Sequence, residues 1–396
     1  MSTQNPVFIP GPTNIPEELR RAMDYPSIDH RSAAFHAMLL PALAGVRRVL
    51  RTTAGEAVIF PASGTGAWEA AVTNTLSPGD RVLAARHGMF SQRWIELCRR
   101  HGLDVEVIEA DWGLPAPADR FAAALSADAG HAIRAVLVTH NETATGVRSD
   151  VAAIRRALDE TGHPALLFVD GVSSIASMDF RMDEWGVDVA ITGSQKGFML
   201  ATGLAICGVS PKAVAAMEKA RCPRAFFDLR DMMRANATGG FPYTPPVNLI
   251  HALTRSVALL EAEGLDNVFA RHRRIAQGVR AAVQAWGLAL CARAPGSESD
   301  TVSAILTPPG FDATRIVTHA AARYGVAFGV GLGQVAGKVF RIGHLGSMTD
   351  VMALAGIAAA EMVMADLGLP VTPGSGVAAA QAHYRATAAA APAPAP

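Results

Sequence analysis

Three stretches of this chain combine residue types that could do covalent chemistry. The first is "GSQKG" (193–197), where Lys196 is flanked at short range by Gly193 and Gly197 and enters the apolar run "FML". Most lysines are solvated surface charges, but such a charge needs neither flanking glycines nor an apolar run behind it. An amine at the edge of an apolar cleft has a depressed pKa and can form a Schiff base with a carbonyl. The second is "LLFVDGVSS" (166–174), with Asp170 at the carboxyl end of a strand-like run. A carboxylate there is costly to bury without a partner; an aspartate at such a place also serves as an ordinary helix or turn cap. The third is "PASGTGAWEAA" (61–71), in which Ser63, Gly64, Thr65 and Gly66 join a strand-like run to a helical one. Small residues at a helix start leave N–H groups pointing outward beside the positive end of the dipole, a cradle for phosphate, and a plain glycine-rich turn has the same composition. No GK[ST] follows, and Glu69 stands where a dinucleotide fingerprint needs glycine or alanine.

A fourth candidate is Arg341 in "GKVFRIGHLG" (337–346). A guanidinium matches a carboxylate with two parallel hydrogen bonds, which suits the α-carboxylate of an amino or keto acid; an interface ion pair is the plainer reading. His344, three residues on, reads as a satisfied polar group. Lysine, aspartate and cradle together meet the needs of pyridoxal 5′-phosphate: an amine for its aldehyde, a carboxylate for its pyridine nitrogen, and N–H groups for its phosphate.

The elements that must position these groups are legible as alternation. Seven short apolar runs, at 56–60, 81–85, 105–109, 135–139, 165–169, 188–192 and 204–209, are separated by longer amphipathic segments. This pattern predicts an α/β fold with a seven-stranded, mostly parallel sheet buried on both faces. Ligands of such sheets lie beyond the carboxyl ends of the strands, where Asp170 and Lys196 fall. A helical stretch over about 247–286 leads to a second alternation at 302–307, 326–330 and 338–342, a smaller C-terminal α+β domain. The expected division is an arm over 1–20 that crosses the cleft, a large domain over 21–255, a small domain over 256–382 and a disordered Ala/Pro tail over 383–396.

Composition excludes several classes. Lys plus Arg and Asp plus Glu both number 35, and no basic cluster offers a footprint for nucleic acid or an anionic membrane. The four cysteines, Cys98, Cys207, Cys222 and Cys291, lie far apart without metal-ligand spacing, which points to neither structural metal nor disulfides. The N-terminus "MSTQNPVFIPGPTNIPEE" has no leader pattern, and no charge-free apolar window of about 18 residues occurs. A cytoplasmic protein acting on small molecules is the expectation.

In their order along the chain, "FIPGPTNIP" (8–16), "PASGTGAWE", "HNETATGV" (140–147), "LLFVDGVSSI", "GSQKG", "FPYTPP" (241–246), "GKVFRIGHLG" and "GSGVAAA" (374–380) make the sequence resemble the class V, fold-type I aminotransferases. Within them it resembles the serine–, aspartate– and alanine–glyoxylate group. The resemblance implies that Lys196 forms the Schiff base, Asp170 faces the pyridine nitrogen, Val172 packs on one ring face and Phe90 of "HGMFSQR" stacks on the other. It implies phosphate contacts from Gly64, Thr65 and Gln195, Thr143 near the ring hydroxyl, and a homodimer in which Tyr243 and Thr244 reach the neighbouring subunit's phosphate. Arg341 would hold the substrate carboxylate, and the backbone at Gly11 would close over it. The implied reaction moves an amino group from L-aspartate or L-serine to glyoxylate, giving glycine. Alanine–glyoxylate or serine–pyruvate exchange is the alternative within the family, and a dinucleotide-binding oxidoreductase the alternative from another class. His30, Arg31, Arg86 and His87 are candidate cations for a second donor carboxylate. Family members carry a proline soon after the lysine where this chain reads "LATG" (200–203), which leaves that loop with more freedom.

Overall fold

In the computed structural model, which describes residues 6–388, the seven apolar runs assemble into one sheet. The strands in chain order are β1 (Val7–Phe8), β2 (Glu56–Ala62), β3 (Arg81–Arg86), β4 (Asp104–Glu109), β5 (Ile133–Thr139), β6 (Asn141–Glu142), β7 (Val147–Arg148), β8 (Leu166–Asp170), β9 (Val189–Gly193), β10 (Gly203–Val209), β11 (Ala289–Leu290), β12 (Val302–Leu306), β13 (Ala327–Val330) and β14 (Val339–Gly343). The large sheet has the order β2-β10-β9-β8-β5-β3-β4, and β10 alone is reversed, antiparallel to both its neighbours. Every residue of β8 and β9 is buried. Successive side chains go to opposite cores: Leu167 and Val169 to one, Phe168 to the other. Because both faces are covered, these strands read as unbroken apolar runs rather than as alternating ones.

The first four helices are α1 (Glu17–Met23), α2 (Ala33–Val49), α3 (Gly64–Thr75) and α4 (Met89–Arg100), and the last two carry residues of the site. The helical stretch expected over 247–286 is two helices, Val247–Glu263 and Leu265–Ala285, parted at Gly264, whose φ of +83° only glycine adopts cheaply. The first buries Ile250, Leu253 and Val257 in the core shared with Leu39, Leu43 and Val46 of α2. The second sends Ile275, Val279 and Val283 into the core of the smaller domain. The division expected at 255/256 thus falls inside a helix of the large core, and the break in the chain lies at Gly264.

The smaller sheet has the order β1-β13-β14-β12-β11. The N-terminal segment begins there, with Val7 opposite Ala327 in a parallel pair, and then passes to the large domain, where the Thr13 N–H donates to the Gln195 carbonyl at 3.2 Å.

Residues 383–387, expected within a disordered Ala/Pro tail, instead complete the helix Ser375–Thr387. One aromatic explains the difference. Tyr384 is buried, and its hydroxyl donates to the Ile275 carbonyl at 3.0 Å, an anchor that the surrounding alanines conceal in composition. Residues 389–396 lie outside the described residues. No helix among the described residues is long and apolar enough to cross a membrane.

The last helix is set by one buried carboxylate: Glu361 accepts from the Trp286 indole at 2.9 Å and from the N–H groups of Gly374 and Gly376 at 3.0 and 2.5 Å. Glu361→Ala strands the buried Trp286 and Gly376 donors and frees the exposed Gly374 N–H, so stability should fall by about 1–3 kcal/mol; an unchanged urea midpoint would show that the carboxylate does not set this helix.

Candidate active site

The carboxyl ends of β8 and β9 and the start of α3 converge on a hollow of about 240 Å³, lined by Gly11, Pro12, Ser63, Gly64, Thr65, Trp68, Phe90, Thr143, Asp170, Val172, Ser173, Gln195, Lys196 and Thr202. Larger hollows, of about 440 to 540 Å³, lie elsewhere, so convergence of chemistry rather than size singles this one out. Nine of the twelve residues expected at the site line it. Arg341, Tyr243 and Thr244 do not.

Lys196 sits in the turn that leaves β9. Gly197 is required there by packing, because a Cβ would lie 2.3 Å from the Ile175 carbonyl oxygen. Burial pushes the Lys196 amine down to about 8; the nearby Arg341 charge acts in the same direction and Asp170 opposes it. The amine donates to the Pro10 carbonyl, and a Cβ on Gly11 would lie 2.4 Å from Nζ, so the N-terminal segment is seated directly over it. The "LATG" loop has a tie in place of proline. The Ser194 hydroxyl donates to the Ala201 carbonyl at 2.7 Å and accepts from the Leu204 N–H at 3.1 Å, closing the loop on the strand that precedes the lysine.

Asp170 ends β8 almost wholly buried, at 4% exposure. Its carboxylate accepts from the Val172 N–H at 2.9 Å. Burial pushes its pKa up to about 7, with Glu142 adding to the rise; the Val172 N–H, the Lys196 charge and the Trp68 indole favour the ionised form. Those three do not offset the desolvation, which leaves a carboxylate waiting for a cationic partner.

At the start of α3 the N–H groups of Gly64 and Thr65 find no acceptor among the described residues, while Gly66 and Ala67 already donate to the Ser63 carbonyl. Ser63, the residue before the helix, gives no side-chain cap. Gln195 Oε1 is buried without a partner. A Cβ on Gly64 would lie 2.5 Å from Val172 Cγ2, so glycine allows the valine to close against the cradle. Open donors, an orphan amide oxygen and an unpaired carboxylate fit an anionic group joined to a protonatable ring.

Arg341 on β14 is buried and stands behind the hollow: Nε donates to the Val330 carbonyl at 2.8 Å and Nη1 to the Thr143 carbonyl at 3.0 Å. Burial lowers its pKa to about 10 against the opposing effect of Glu142. Tyr243 stacks on the half-exposed Phe226 at 4.5 Å and donates to its carbonyl at 2.9 Å, outside the hollow of its own chain. Sequence reasoning missed Trp68, one turn beyond the cradle, and Ser173, whose hydroxyl lies 2.7 Å from that of Thr143. Ser173 had a signal, as the neighbour of Val172 in "DGVSS". Among the candidate cations for a second carboxylate, Arg86 pairs with Glu109, His87 is fully buried with its pKa lowered by that burial, and neither they nor His30 and Arg31 line the hollow. His344 is the satisfied polar group expected, between the Ser303 hydroxyl and the Asp300 carbonyl at 3.0 Å each. All four cysteines are buried free thiols, and among the described residues no group of His, Cys, Asp and Glu is arranged to hold a metal.

The Asp170 shift has a sign. Between pH 3.8 and about 7 the folded, cofactor-free protein holds a proton that the unfolded chain has released, so this group's contribution to stability is lost as pH rises through that window. Asp170→Asn should remove the slope and gain on the wild type between pH 5 and 8 in urea unfolding of the cofactor-free proteins. Parallel curves across that range would contradict it.

Comparison with known proteins agrees with this geometry. Residues 16–340 match the family "Aminotransferase class-V". The chain is 69% identical, over 98% of both chains, to the L-aspartate–glyoxylate aminotransferase of Paracoccus denitrificans. It is 52% identical, over 96% of both, to the serine–glyoxylate aminotransferase of Methylorubrum extorquens. Among solved structures, the pyridoxamine–pyruvate aminotransferase of Mesorhizobium loti superposes with a TM-score of 0.90 at 29% identity, covering 98% of this chain and 99% of that one. With a lysine, an unpaired carboxylate and open helix donors at the carboxyl edge of the sheet, the chain belongs to the class V aminotransferases, in the fold-type I architecture.

Proposed function

We propose that this aminotransferase moves the amino group of L-aspartate to glyoxylate, giving oxaloacetate and glycine. The observation that carries the reaction type is the meeting of a half-buried lysine amine, a buried carboxylate and free helix N–H groups in one hollow. The 69% identity to an aspartate–glyoxylate enzyme supports the substrates. L-serine as donor, giving hydroxypyruvate, is the second reading. It is favoured by the 52% identity to a serine–glyoxylate enzyme and by the absence, among the described residues lining the hollow, of a cation besides Lys196.

Pyridoxal 5′-phosphate is the cofactor, and it supplies an aldehyde to carry the amino group and a ring that withdraws electrons from the substrate Cα when bound. In this reading the N–H groups of Gly64 and Thr65, with Gln195, hold its phosphate. Phe90 and Val172 enclose its ring from opposite sides, and Thr143 stands by its hydroxyl. The Asp170 carboxylate, costly to bury alone, is stabilised by facing a protonated ring nitrogen. Lys196 Nζ, brought down to about 8 by burial, is the base that takes the proton from the donor Cα and returns it on the far side of the exchange. Arg341 already spends Nε and Nη1 on backbone carbonyls, which fixes the plane of its guanidinium and leaves Nη2 for the substrate carboxylate. The backbone at Gly11 and Pro12 covers the hollow and excludes water from the proton transfer.

Tyr243 and Thr244 lie outside their own hollow, with Tyr243 stacked on the half-exposed Phe226. This supports a homodimer in which each subunit offers that segment to the other's phosphate. Four unpaired thiols suit the reducing cytoplasm.

Lys196→Ala should lower turnover by more than about 10³-fold while the protein still binds the cofactor without a covalent link; turnover near the wild-type rate would remove Lys196 from the mechanism. A panel of aspartate, serine, alanine and glutamate against glyoxylate, scored by glycine formed, should show aspartate fastest. No glycine from any donor would remove glyoxylate as acceptor.

A further inference from the structure

The part of the "HNETATGV" motif that the chemistry above leaves unused is Glu142. It is fully buried at the end of β6. Its two oxygens take the opening of α4: the Phe90 N–H at 3.1 and 3.2 Å, the Ser91 N–H at 3.0 Å and the Ser91 hydroxyl at 3.1 Å, with the Ala144 N–H at 3.1 Å from its own hairpin. The first turn of a helix has unsatisfied N–H groups and a partial positive charge, so a carboxylate brought to it from elsewhere in the chain is held strongly and holds the helix in return. The approach depends on Gly88, where a Cβ would lie 2.1 Å from both Cγ and Cδ of Glu142. Sequence and packing together have cleared a route for this one side chain.

What the carboxylate fixes is the wall of the hollow. Phe90 is the residue whose N–H it binds, and Phe90 lines the hollow. Thr143, the next residue along, lines it too, and its carbonyl holds Arg341 Nη1. Three segments far apart in sequence, around 90, 143 and 341, are thereby tied through one buried group.

We propose that Glu142 is a positioning residue of the transamination site, which sets the Phe90 ring against the cofactor and, through Thr143, the guanidinium of Arg341. This rests on the functional reading above, because it takes Phe90 to face the cofactor ring. The mechanism predicts coupling and not mere loss of stability. A carboxylate that acts through Phe90 has little left to do once the ring is gone, whereas a carboxylate that only supports the fold costs the same with or without it.

The test compares Glu142→Gln, Phe90→Leu and the double variant with the wild-type holoenzyme, reading the dissociation constant for pyridoxal 5′-phosphate and the visible circular dichroism of the bound cofactor. Glu142→Gln should weaken binding about tenfold and reduce the dichroic band. In the Phe90→Leu background the same change should cost less than about threefold. Equal factors in both backgrounds, or wild-type affinity and dichroism in Glu142→Gln, would overturn the proposal. If Glu142→Gln does not fold, Gly88→Ala displaces the carboxylate without removing it and should give the same loss of dichroism; a wild-type band there overturns the proposal equally. Borohydride trapping separates this proposal from the one beneath it. No cofactor fixed on wild-type Lys196 takes both down, while cofactor fixed there with additive variants takes down this one alone.

Discussion

Burying Asp170 at the carboxyl end of a central strand costs more than its own neighbours return, and much of the site can be understood as an answer to that cost. Its acceptor bond to the Val172 N–H, the Trp68 indole and the Lys196 ammonium all favour the charged form, yet burial still raises the pKa to about 7. A site in which protein alone balanced this carboxylate would have no affinity to spare for a cationic ring. In the proposed reading this imbalance favours an occupant with a protonated ring, and the open N–H groups of Gly64 and Thr65 act in the same sense toward its phosphate. In that reading, cofactor affinity is stored as unsatisfied polarity in the protein.

The same low-polarity surroundings tune the amine. Burial and the Arg341 charge both lower the Lys196 pKa, and Asp170 limits the fall. The Lys196 amine thus responds to charged groups on two other segments, Asp170 at the end of β8 and Arg341 on β14. The segment at Gly11 illustrates the tolerance around that amine. It starts in the smaller sheet, crosses to the large domain and passes so close to Nζ that a single methyl group does not fit.

The large sheet was legible because a strand buried on both faces must be apolar without interruption, and all seven runs appear in it. The smaller domain was legible for the same reason, but the edge of the tail was not. Alanine and proline dominate 385–396, and one tyrosine whose value lies in a single tertiary hydrogen bond carries no local periodic signal. The break at Gly264 was hidden likewise, since apolar spacing continues across it and only the backbone angle marks the stop.

The sequence by itself determined the chemistry available: a lysine between glycines, an aspartate ending an apolar run, small residues at a helix start, and an arginine late in the chain. It also determined the alternation that places three of these at one edge of a sheet, because strand order follows from buried runs and helical crossovers. Only the tertiary structure decided how the groups act on one another. It put Arg341 behind Thr143 instead of in the hollow, left Tyr243 and Thr244 outside the lining of their own chain's hollow, and gave Glu142 the first turn of α4 to hold. The physical reason is that desolvation and hydrogen-bond geometry depend on neighbours separated by 50 to 200 residues in the chain, as in the pairs Glu142–Phe90 and Arg341–Thr143. No short stretch of sequence encodes such a neighbour.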